Sequence, residues 1–125
     1  MPLDYAALAT PRAEAEKLGY RVSAMVKKPV PSRMKEFEQE VLKHKPDDDP
    51  LFKYTYSELI TTRRRLPSSF EGESGHVKFA CRDVKLLEWF NDTARRMQVH
   101  LRGRIGYITP RRSGTGTHYY ADIHT

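Results

Sequence analysis

Apolar residues along the chain alternate with polar ones in some stretches and recur every three or four positions in others, and these two periods divide it into strands and helices. Tyr20, Val22, Ala24 and Val26 alternate with Arg21, Ser23, Met25 and Lys27, the pattern of a half-buried strand that Pro29 and Pro31 close. Ser32 can cap a helix in which Met34, Phe37, Val41 and Leu42 share a face while Lys35, Glu36, Glu38, Gln39 and Lys43 turn outward; Pro46 marks its end. Phe52, Tyr54 and Tyr56 alternate in a short strand, and residues 57–66 either prolong it or form a helical turn capped by Ser57. Val77, Phe79 and Cys81 alternate again. Asp83 then caps a helix over 84–97, with Val84, Leu87, Phe90, Ala94 and Met97 as its inward stripe. Val99, Leu101, Ile105 and Tyr107 alternate with His100, Arg102 and Arg104. A turn at 110–116 follows, and residues 117–124 pair back as the second arm of a hairpin. Near the start, Thr10-Pro11 and Gly19 bracket a short helix over 11–18.

Strands interleaved with helices and a closing hairpin predict an α/β (α+β) fold, in which a mixed β-sheet carries helices packed on it and ends in a C-terminal β-hairpin. The 125 residues suit a single domain spanning 1–125, with an acidic loop at 46–50 and a mobile loop at 67–75 inside it.

Composition narrows the setting. Apolar residues are 38% of the chain and charged residues 30%, enough for one ordinary core. With Cys81 as the sole cysteine, no intramolecular disulfide forms and zinc sites built on three or four thiolates are excluded. The N-terminus lacks the charged start and apolar run of a secretory signal, and no stretch approaches the ~20 apolar residues of a membrane span. The expected location is the cytoplasm or an intracellular particle, away from membranes. There is no nucleophile elbow, phosphate-binding glycine loop or His-Glu-x-x-His pair, so neither catalysis nor a cofactor is expected. Cys81, beside Val77 and Phe79, reads as a small core residue.

Charge changes the picture further. The net charge is +6, and the first fifty residues are balanced, nine Lys/Arg against nine Asp/Glu; the remainder holds thirteen against seven. From Ala94 onward there are six arginines, no lysine and one acid, Asp122. Guanidinium groups grip phosphates bidentately and stack on bases, and tyrosine rings add stacking platforms. His100, Arg102, Arg104, Arg111 and Arg112, with Tyr107, Tyr119 and Tyr120, therefore form a candidate site for RNA or another polyanion, and Arg95 and Arg96 extend it if folding brings them alongside. The same arginines would equally protect an edge hairpin against aggregation. Arg63-Arg64-Arg65 has no assigned place.

Gly103-Arg-Ile-Gly106 has the Gly-x-x-Gly spacing of a KH loop but falls inside a strand, and Arg102-Gly103 opens like the RNP1 segment of RRM modules but puts Arg104 and Gly106 where rings should stack. The glycines instead allow a bulge or a close backbone approach. The expected function is thus a non-enzymatic nucleic-acid-binding, chiefly RNA-binding, or ribonucleoprotein-structural domain. One alternative is a protein-interaction or assembly module of a viral or organellar particle, with a homodimer or larger particle as the expected partner state. Because Phe90 claims the core, Trp89 is left near the surface as an interface anchor, together with Phe52 and Tyr54. Another is a small metal-dependent nuclease using His118, Asp122 and His124, alternate positions on the last strand.

Overall fold

The computed structural model describes residues 18–58, 73–108 and 120–124. In chain order the elements are β1 (Tyr20–Lys27), α1 (Pro31–Lys43), β2 (Lys53–Glu58), β3 (Glu73–Cys81), α2 (Val84–Arg96), β4 (Leu101–Tyr107) and β5 (Tyr120–His124). The strands form one five-stranded sheet in the order β2-β3-β1-β4-β5. This is an α+β fold. The βαββαβ series from β1 to β4 is the split β-α-β arrangement, to which β5 is added outside β4. Every pairing is antiparallel, so the sheet is more uniform than the mixed one expected, and β4 and β5 pair as the arms of the expected hairpin.

Both helices lie on one face. Val22, Ala24 and Val26 of β1, Val77, Phe79 and Cys81 of β3, and Leu101, Ile105 and Tyr107 of β4 are buried against Met34, Phe37 and Val41 of α1 and Leu87, Phe90 and Ala94 of α2. Aromatic rings join the layers: Phe79 stacks on Phe90 with centroids 4.0 Å apart, and Phe37 meets Phe90 at 5.4 Å and Tyr54 at 5.9 Å. No helix among the described residues is long and apolar enough to cross a membrane.

The structure amends several expectations at element ends. α1 begins at Pro31, a residue preorganised for the first helical position, which makes Val30 the cap residue; no side chain caps the helix, and Ser32 lies inside it. Leu42, expected on the apolar face, is exposed. β3 starts at Glu73, so the loop expected over 67–75 ends earlier than predicted. At Gly75 the inward position has no side chain of its own and is filled by the Tyr56 ring, whose Cζ would lie 2.6 Å from a Cβ built there. In the 46–50 loop, Asp49 is not simply solvated: its carboxylate accepts from the Leu51 N–H at 3.0 Å and the Arg82 N–H at 2.9 Å, tying the loop to the end of β3. Residues 11–17 of the expected helix, the segment 59–66 and the whole turn at 110–116 lie outside the described residues, as do residues 117–119 of the expected last strand and the part of the 67–75 loop before Glu73.

Candidate nucleic-acid interface

Strand alternation that buries one face of the sheet exposes the other, and the register fixes what meets there. Across the sheet, one row contains Lys53, Ala80, Arg21, Gly106 and Tyr120; the next contains Thr55, Lys78, Ser23, Arg104 and Asp122; the third contains Ser57, His76, Met25, Arg102 and His124. Arg21, Lys53, Lys78, Arg102 and Arg104 are all exposed. Of the carboxylates, Glu36, Glu38, Glu40, Glu88 and Asp92 lie on the helices, Asp47, Asp48 and Asp49 in the loop before β2, Glu58 at the end of β2, Glu73 at the start of β3 and Asp83 before α2. Asp122 holds the β5 position in register with Arg104.

A concavity of about 740 Å³ opens on this face, with Arg21, Lys53, Lys78 and Arg104 around Ser23 and Ala80. Small residues at those positions let the long cationic side chains stand above the sheet. Gly103 belongs to the same construction. A Cβ there would collide with the Ser23 carbonyl oxygen and lie 2.5 Å from the Ala24 Cα, so the glycine permits the close approach of β4 to β1 that the sequence suggested. On the same face Ser23 Oγ and His76 Nε2 are hydrogen-bonded at 2.9 Å. Partial burial lowers the His76 pKa from its ordinary value, and the neighbouring Lys78 charge adds to the effect.

The residues singled out from sequence are only partly brought together. Arg102 and Arg104 share the open face, and His100 is exposed just before β4, its carbonyl accepting from the Lys27 N–H at 3.3 Å. Arg95 and Arg96 sit at the end of α2, in the layer covering the opposite face, where Arg96 donates to Thr93 Oγ1 at 2.9 Å. They do not extend the Arg102–Arg104 patch. Tyr107 is a correction: it is 1% exposed and its ring lies 5.5 Å from that of Tyr20, because its odd position in β4 faces the helices. It has no surface to offer a base. Tyr120 occupies a β5 position opposite Gly106, and Arg63, Arg64, Arg65, Arg111, Arg112, His118 and Tyr119 lie outside the described residues.

The proposed interface anchors are engaged within the chain. Trp89 is half-buried and stacked on His44 at 4.0 Å, Phe52 packs edge-on to Phe79 at 5.7 Å, and Tyr54 packs on Phe37 and Phe90. Asp122 and His124 are alternate β5 positions in register with Arg104 and Arg102; among the described residues no group of three or more His, Cys, Asp or Glu is arranged to hold a metal ion.

Sequence reasoning missed Lys53, Lys78 and Arg21. Each is an isolated cation at an outward position of a strand, and the available signal was the alternation itself, read for the polar face as well as the apolar one. No protein-family model, curated protein or solved structure matches the chain.

Proposed function

We propose that the open face of the sheet binds nucleic acid, RNA foremost, through its phosphates, and that the protein is a non-enzymatic binding or ribonucleoprotein-structural module. The observation that carries this reading is the convergence of Arg21, Lys53, Lys78, Arg102 and Arg104, from four strands, on one exposed surface, the first three and Arg104 around a concavity of about 740 Å³. Such a surface complements a polyanion: lysines attract the backbone as point charges, and arginines add bidentate contacts to phosphate oxygens. Placing the helical carboxylates on the far side of the sheet steers an anionic ligand towards this face. The reading keeps the role first expected of the C-terminal arginines but moves its centre from the hairpin to the middle of the sheet.

The test is anisotropy with a labelled RNA of about 12 nucleotides over a range of salt, a length within the usual span of single-strand sites. Binding is expected to weaken with salt at a log–log slope of about −0.7 for each phosphate neutralised. The paired reversal K78E/R104E should weaken binding by at least about tenfold and flatten that slope, whereas R95E/R96E on the helix layer should change affinity by less than about threefold. A salt-independent interaction, or equal losses in the two variants with both still folded, would refute the assignment.

A further inference from the structure

We infer that the ligand is a single strand laid across the β-strands, with its phosphates on the sheet and its bases turned outward, so that the site is indifferent to base identity. This rests on the phosphate-binding reading above and states what class of nucleic acid fits it.

The cations are not scattered over the open face but form a file. It zigzags from Lys53 on β2 to Lys78 on β3, Arg21 on β1 and Arg104 on β4, each one strand and one outward position from the last, and ends at Arg102, one outward position along β4. Strand spacing of about 4.8 Å and about 6.7 Å between alternate residues place neighbouring Cα atoms roughly 7–8 Å apart. That repeat is comparable with successive phosphates in an extended strand, within the swing of lysine and arginine side chains. A duplex presents two backbones separated by a groove, and a single file meets only one of them.

The floor points the same way. An RRM sheet captures bases by stacking them on aromatic side chains of its strands. Here the outward positions of the central strands are Arg21, Ser23 and Met25 on β1, and His76, Lys78 and Ala80 on β3. At these positions the described side chains offer a base no phenyl, phenol or indole ring, the His76 imidazole is hydrogen-bonded to Ser23, and Tyr107 faces the core. Ser23 and Ala80 line the concavity between the cations, and Ser23 Oγ, hydrogen-bonded to His76, places a polar group at its floor. Tyr120 holds the β5 position opposite Gly106, one strand outside Arg104.

The decisive comparison uses oligomers of equal phosphate number: the four RNA homopolymers, an abasic strand and a duplex. Affinities within about threefold among the homopolymers and the abasic strand, a weaker duplex, and no change on Tyr120→Ala are expected. The inference is overturned if the abasic strand or the Tyr120→Ala protein loses about tenfold or more, which would mean that bases stack, or if the duplex binds more tightly. Those results leave phosphate binding itself intact. Absence of salt-sensitive binding by any of these ligands would remove the phosphate-binding reading and this inference with it.

Discussion

Cys81 faces the helices from the end of β3, with no exposed surface and its Sγ 3.3 Å from the Asp83 carbonyl oxygen. Burial pushes the thiol up to about 12, and the negative charge of Asp49 adds to that. Only the thiolate is reactive, so a disulfide reagent near pH 8 is expected to leave the folded protein unmodified and to react promptly once denaturant is added, as followed by absorbance. At His76 the sign is opposite in kind: burial, then the Lys78 charge, disfavours the protonated ring in the folded state. The unfolded chain therefore binds more protons as pH falls through 6.5, the ordinary value, and the stability this group contributes above that pH is lost below it. Melting temperatures should decline less steeply in His76→Gln than in the native protein between about pH 7 and pH 5. Cys81 was legible from sequence because its position shares the parity of Val77 and Phe79. The Ser23–His76 contact was not, since it joins residues 53 positions apart whose pairing depends on how β1 and β3 meet.

The two helices differ in how they begin. Asp83 precedes α2 and its Oδ1 accepts from the Lys85 N–H at 2.9 Å, whereas α1 starts behind Val30, which is 44% exposed and supplies no side-chain acceptor. Asp83→Ala is expected to cost about 0.5–2 kcal/mol in chemical denaturation, and Val30→Ser to gain up to about 1 kcal/mol by capping the free N–H groups of the first turn. Equal stability of both variants and the native chain would mean that neither helix end limits folding. The α2 boundary could be read directly, because a capping residue is followed at once by a strong apolar stripe. The α1 boundary was displaced because Ser32 satisfies the capping preference while Pro31 already takes the first helical turn. For β3 the obstacle was Gly75, which interrupts the apolar alternation even though its place in the core is filled by Tyr56 from the neighbouring strand.

At the scale of the molecule, charge among the described residues is organised by the sheet rather than by chain segment. The halves of the sequence differ in net charge, yet Arg21 comes from the first half and meets Lys78 and Arg104 only because β1 lies between β3 and β4. Strand order is a property of long-range pairing, and local periodicity carries no information on it. That is why Arg102 and Arg104 were found as a pair while the rest of the file was not, and why Arg95 and Arg96, close in sequence, belong to the opposite layer. The central claim is that nucleic acid occupies the open face. Backbone amide chemical shifts followed during titration with a short RNA test it most directly. Perturbations are predicted to concentrate at Arg21, Ser23, Lys53, His76, Lys78, Arg102 and Arg104, with α1 and α2 nearly silent; shifts centred on the helices, or none at saturating RNA, would contradict it.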